Sequence, residues 1–254
     1  ENKKHIFVEK PVCVSGSQLN AIENTLEKNP DICFSSNLIL RKAERFIELR
    51  KKITAGDLGQ IYYVEGDYDY GRLKKLTNGW RAEQFGYSVF LGGGIHMVDL
   101  LCWLHGSHIT QVSAIGSKIC SSSSEFDGFD TVLASMQYND GSIGKISANF
   151  GSVTKHHHRL AIYGTLGTFH QSHEGSTYHF GRDDAPNEIK DLCAYPANDK
   201  GDSLIAFIES IVLGKSPDVK KNEVLRAMRI ALAIDEALMT GKTIKVKDDE
   251  NSIW

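Results

Sequence analysis

The sequence predicts an α+β fold: a strand–helix–strand start, then a long run of antiparallel strands with flanking helices. Three observations carry that reading. His5–Val8 and Ile32–Ser36 read as short apolar strands on either side of a helical segment, the order of a parallel βαβ crossover. Alternating segments then follow one another from Thr110 to Gln171, with Asn139-Asp140-Gly141 as a hairpin signal between two of them. Two stretches near the end, Asp202–Leu213 and Asn222–Met239, repeat apolar residues at helical spacing.

Taken in order, the first strand stops at Glu9-Lys10-Pro11, because proline has no N–H to donate to a ladder. A lysine held at a strand end is firmly placed, and a cis bond to Pro11 would turn its side chain sharply. Ser15 or Ser17 is an N-cap for a helix over Gln18–Lys28, which Asn29-Pro30 ends. Residues 40–55 form an amphipathic helix closed by Gly56. Gln60–Tyr70 is aromatic-rich and reads as a long strand. Residues 71–90 read as irregular. Strands are expected over Thr110–Ser117, Asp130–Tyr138, Ser142–Phe150, His157–Tyr163, Gly167–Gln171 and Thr243–Val246. The interval 174–200 is polar and reads as irregular, and Ser121–Ser124 reads as an exposed loop.

Composition narrows the function classes. A chain of 254 residues is long enough for one large domain or two modest ones, and 41% hydrophobic with 24% charged residues is ordinary for a globular protein. A net charge of −3 argues against a nucleic-acid or membrane-surface binder, which would carry a basic stripe. Five scattered cysteines without a Cys-x-x-Cys pair fit a reducing, cytoplasmic setting and no structural zinc. The opening residues show no signal-peptide pattern.

The most informative stretch is Leu91–Gly106. Three consecutive glycines mark a tight turn or a close approach of the backbone, and they run into an apolar helical segment. His96 and Asp99 lie three residues apart, on one face of that helix. An acid–base group beside a glycine turn suits a small polar substrate; a capped helix with a packed histidine fits the same residues. Trp80 and Arg81 would flank a sugar or a carboxylate, or serve as a core tryptophan and a surface ion. Of His156-His157-His158, a strand brings only His156 and His158 to one face, and no carboxylate or cysteine joins them at ligand spacing. Tyr163 and His179 would reach a substrate from the sheet face. A G-x-G-x-x-G turn after a first strand is missing.

The ordered motifs HIFVEKP, WRA, GGGIHMVDLLCWLHG, FDTVLASMQYNDGSIGKISANF and VLRAMRIALAIDEALMTGK resemble the glucose–fructose oxidoreductase / inositol dehydrogenase / rhizopine catabolism (Gfo/Idh/MocA) family of NAD(P)-dependent dehydrogenases. The resemblance implies a Rossmann domain followed by an open antiparallel sheet that mediates dimers or tetramers. Residues 1–38 would be the last part of the Rossmann domain and 39–254 the substrate-binding and oligomerisation domain, so that the chain is expected to be truncated and to bind NAD or NADP poorly. Glu9, Lys10 and Pro11 match the family's Glu-Lys-Pro motif beside the nicotinamide. Lys10 would bind the reacting hydroxyl and His96 transfer its proton. Asp99 matches the last aspartate of the pattern Asp-x-Gly-x-His-x-x-Asp, whose first aspartate is Gly92 here. Asp99, Trp80, Arg81 and Tyr163 are the expected substrate contacts. The implied activity is oxidation or reduction of a hydroxyl on a sugar, polyol or nucleotide-sugar; the rival is a non-catalytic oligomerisation domain derived from that family.

Overall fold

The computed structural model describes residues 4–84, 87–182, 187–196, 199 and 201–246. The outermost ends of the two expected segments, residues 1–3 and 247–254, lie outside that description. In chain order the elements are β1 (Ile6–Val8), α1 (Gly16–Glu27), β2 (Phe34–Ser36), α2 (Glu44–Ala55), β3 (Ile61–Asp69), α3 (Lys74–Thr77), α4 (Trp80–Glu83), α5 (Ile95–His105), β4 (Ile109–Ser117), β5 (Thr131–Tyr138), β6 (Ile143–Asn149), β7 (His157–Gly164), β8 (Gly167–Ser172), β9 (Gly175–Phe180), β10 (Asn187–Asp191), α6 (Asp202–Val212), α7 (Lys221–Thr240) and β11 (Ile244–Lys245). Short 3-10 and π-helical turns at Ile39–Lys42 and Phe90–Gly94 precede α2 and α5.

The fold is α+β as expected. β1 and β2 pair in parallel, with α1 as their crossover. Ser15 caps α1 by accepting the Gln18 N–H. The large sheet runs β10-β9-β8-β7-β3-β6-β5-β4-β11 and is antiparallel throughout except where β3 lies parallel to β6. Its inner face is apolar by strict alternation. In β5, Val132, Ala134, Met136 and Tyr138 are buried, while Leu133, Ser135 and Gln137 point outward. α5 and α7 cover that inner face, and α7 is buried along Val224, Met228, Ala231 and Ile234, one residue per turn. The hairpin expected at Asn139-Asp140-Gly141 forms, with Gly141 in the left-handed conformation at φ 86°.

Several expectations are corrected. Residues 71–90 contain two short helices. The interval 174–200 holds β9 and β10, an antiparallel edge pair whose polar outer residues hide the alternation. The helix expected over 40–55 is broken at Ala43, which is extended (φ −68°, ψ 122°), because the preceding 3-10 turn carries Arg41 into the interior. Ser121 is buried rather than exposed: its N–H and hydroxyl both donate to Asp130 Oδ2, at 2.8 and 3.0 Å.

Candidate active site

Glu9-Lys10-Pro11 follows directly on β1, outside the carboxyl end of the parallel pair, where α/β sheets place ligands. The Lys10–Pro11 peptide is cis. Asn37, just past β2, donates to Glu9 Oε1 at 2.8 Å and ties the two strand ends together. Lys10 Nζ reaches across the fold and donates to the carbonyl of Gly92. No carboxylate among the described residues pairs with it. Burial lowers its amino group to about 8; Glu9 opposes that shift and Arg81 adds to it.

The glycine run is a π-helical turn rather than a left-handed one; Gly94 has φ −54°. Such turns inside helices cluster at functional sites. The glycines are there for space. A Cβ on Gly92 would lie 1.9 Å from Tyr87 Oη, and one on Gly93 2.5 Å from the Tyr68 ring. Ser88 organises the turn: its hydroxyl accepts from the N–H groups of Phe90 and Leu91 at 3.1 and 3.0 Å and donates to Asp235 at 2.7 Å. Its carbonyl accepts from Gly92 N–H at 2.9 Å. The Gly92 carbonyl is thus held where Lys10 meets it.

His96 opens α5 from this turn and is buried. Its ring stacks on Tyr68 with centroids 6.1 Å apart and meets His158 edge-on at 6.4 Å. Nδ1 is buried with no hydrogen-bond partner. Burial, then the charge of Lys10 and the rings of His158 and His156, hold its pKa well below the ordinary histidine value. Burial thus favours the neutral imidazole. The β3–β7 register sets Tyr68 opposite His158, and His158 Nδ1 bonds the Tyr195 hydroxyl. His156 and His158 share one face, as period-2 geometry requires, with centroids 4.8 Å apart. Among the described residues no three His, Cys, Asp or Glu side chains gather as a metal ion would need.

Arg81, on α4, donates from Nε to Tyr87 Oη at 2.9 Å and lies 4.5 Å over the Trp80 ring. Trp80 is exposed and forms an outer edge of this side of the site. Two expected contacts are not brought in. Asp99 is one helical turn from His96, but both its oxygens are held by Arg41, from Nε at 2.9 Å and Nη2 at 2.5 Å. Arg41 Nη1 also reaches Glu223 at 2.7 Å. Burial works against both charges; Asp99 with Glu223 more than restores that of Arg41, while burial still leaves the Asp99 carboxyl above its usual range. Asp99 therefore joins α5 to α7 rather than meeting a substrate. Tyr163 lies on the outer face of the sheet, stacked on Tyr63 at 5.3 Å, because its odd position in β7 points away from His158. Tyr68, Tyr87 and Tyr195 were not anticipated. Nothing local marks them, although Tyr68 stands at the apolar phase of the strand predicted over 60–70.

Residues 46–170 match the family model described as the GFO/IDH/MocA C-terminal domain. Among curated proteins, the chain is 24% identical over 261 residues to scyllo-inositol 2-dehydrogenase (NAD(+)) of Bacillus subtilis, covering 97% of this chain and 72% of that protein. It is 21% identical to myo-inositol 2-dehydrogenase of Thermotoga maritima, covering 97% and 74%. Among solved structures, myo-inositol 2-dehydrogenase from Lactobacillus plantarum shares the fold with a TM-score of 0.79 at 20% identity, covering 96% of this chain and 74% of that one. Scyllo-inositol dehydrogenase from Lactobacillus casei, with bound NAD(H) and scyllo-inositol, superposes with a TM-score of 0.73 at 18% identity over 95% and 73%. The chain thus shares its fold with these dehydrogenases. The chain is similar to the GFO/IDH/MocA family over residues 46–170 and to its inositol dehydrogenases over nearly its whole length. Among the described residues no helix is long and apolar enough to cross a membrane.

Proposed function

We propose that these residues form the substrate half of an NAD(P)-dependent dehydrogenase acting on a hydroxyl of a sugar or polyol. One observation carries the reading: a buried, neutral imidazole with an unpartnered nitrogen stands beside a half-buried lysine that no carboxylate among the described residues pairs with. A buried polar atom ordinarily has a partner, and a bound hydroxyl would supply one to the imidazole and meet the lysine as well. His96 takes the hydroxyl proton as general base. Lys10, oriented by the Gly92 carbonyl, stabilises the developing alkoxide and is itself close enough to neutral to share that proton. The nicotinamide, when bound, accepts or returns the hydride. The Lys10–His96 pair and the Glu9-Lys10-Pro11 turn fit the nicotinamide end of a dinucleotide; no glycine-rich βα turn among the described residues fits its pyrophosphate.

The outer sheet face exposes Ile115, Leu133 and Ile143 beside the charged row of Glu65, Asp67, Lys145 and Arg159. We propose that a second copy covers it, giving a dimer or tetramer that light scattering would size. The function is tested by titrating the chain with NADH and NADPH by fluorescence and assaying NAD(P)-dependent turnover of inositols and sugars. His96→Asn is expected to lower turnover by about 100-fold or more. Unchanged turnover would make His96 a packing residue.

A further inference from the structure

Several arginines of this molecule are ion-paired: Arg41 with Asp99 and Glu223, Arg45 with Asp191 at 3.3 Å, Arg159 with Asp69 at 2.7 Å, Arg229 with Glu23 at 2.7 Å. The cations around the site are held differently. Lys10, Arg72, Lys75 and Arg81 have no carboxylate partner among the described residues. Arg72 and Lys75 instead lie over the Tyr70 ring, at 5.0 and 5.9 Å. Arg81 lies over Trp80 and Tyr87. Its Nε goes to the Tyr87 hydroxyl, which leaves its two terminal amino groups without a partner among the described residues.

These four charges ring one place. Tyr70 and Tyr68 stack at 5.6 Å, Tyr68 stacks on His96, and His156 packs edge-on against both tyrosines at 5.2 and 5.0 Å. Arg72 and Arg81 both act electrostatically on Tyr68, Arg72 and Lys10 on His156, and Arg81 on Lys10. The acids that face this group are already engaged. Glu9 accepts from Asn37, and Asp69 points to the other side of the sheet, where Arg159 holds it. Position 92 contributes no carboxylate, and the space its side chain would enter is filled by the Tyr87 hydroxyl. The Nδ1 of buried His96, without a hydrogen-bond partner, lies beside the same group.

We propose that the polyol taken by this site carries an anionic group, a carboxylate or a phosphate, received by Arg81 with Arg72 and Lys75 at the rim. The proposal rests on the dehydrogenase reading and narrows its substrate class. Guanidinium binds either group through paired N–H donors, and a cationic rim favours an anionic polyol over a neutral one. The neutral hydroxyls of the same molecule then fall to Lys10 and His96.

The test is calorimetric binding of D-gluconate, D-glucuronate and glucose 6-phosphate against D-glucose and myo-inositol, with the full chain and with Arg81→Gln and Arg72→Gln. At least one anionic probe is expected to bind about tenfold or more tighter than its neutral counterpart, with an affinity that weakens as salt rises. The carboxylate and phosphate arms separate the two sources. In Arg81→Gln the anionic-to-neutral ratio is expected to fall close to one, and the exposed Arg72→Gln to lower it less. Equal binding of anionic and neutral probes would overturn the proposal and leave the dehydrogenase reading in place. So would a loss in Arg81→Gln of NADH affinity alone, which would give the cations to the dinucleotide. Binding of no polyol at all would overturn both.

Discussion

Two buried polar clusters sit one helical turn apart on α5, and they differ in a single respect. Around Asp99 the buried ion pair is closed: both carboxylate oxygens are held by Arg41, and the rest of that guanidinium by Glu223 and the Asp218 carbonyl. Around His96 the groups are left open: an imidazole nitrogen without a partner and an ammonium resting on a single backbone carbonyl. Burial of polar groups is costly in both places. The first cluster recovers that cost within the protein and holds 3-10 turn, α5 and α7 together. The second does not, which is the physical mark of a place meant for another molecule.

The largest effect should come from breaking the closed cluster. Asp99→Ala leaves Arg41 buried with half its partners, and urea denaturation is expected to show a loss of about 3–5 kcal/mol. The open cluster should respond in the opposite way. His96→Leu removes a desolvated nitrogen without stranding a partner, so stability is expected to stay within about 1 kcal/mol of the parent or to rise. A loss as large as that of Asp99→Ala would erase the distinction between the two clusters. Between them lies the glycine turn. Gly92→Ala pushes a methyl group into the Tyr87 hydroxyl, for an expected cost of about 1–3 kcal/mol. Tyr87→Ala in the same chain should recover most of it. A double-mutant cycle without coupling would mean that Tyr87 does not fill that space.

Much of the fold was legible, because local chemistry dictates it. Ser15 caps a helix wherever it precedes one, Gly56 ends one, and Asn139-Asp140-Gly141 makes a tight hairpin whatever surrounds it. β9 and β10 were hidden because a polar edge pair has little apolar alternation to show. The site was legible only where spacing along one chain segment sets geometry. Lys10 and His96 could be named as separate candidates; their meeting through the Gly92 carbonyl spans 82 residues of sequence. Asp99 was misplaced for a related reason. Three residues of helix leave two side chains about 60° apart, enough for one to face Lys10 and the other Arg41. The helix period cannot tell which neighbour each will find.

The smallest effects concern pH, and they set the two sides of the π-helical turn against each other. On one side His96, His156 and His158 are all lowered from the usual histidine value, chiefly by burial, His156 to about 4. A group lowered on folding adds stability that is present above its unfolded value of about 6.5 and is lost as pH falls through the folded value. On the other side Asp235, buried with only Ser88 as partner, is raised to about 6. A carboxyl raised on folding does the reverse: its contribution is complete below about 3.9 and is lost as pH rises through 6. Between pH 4 and 6.5 the histidines therefore tilt stability upward with pH and Asp235 tilts it downward. Asp235→Asn keeps a side-chain acceptor for Ser88 and removes the titration, so it is expected to gain about 1–2 kcal/mol at pH 7 and to steepen the rise below it. His158→Asn is expected to flatten the rise. Urea midpoints of the parent and both variants at pH 4.5, 5.5, 6.5 and 7.5 would measure the slopes. Parallel curves for all three would mean that neither side of the turn carries a titrating group that the fold has perturbed.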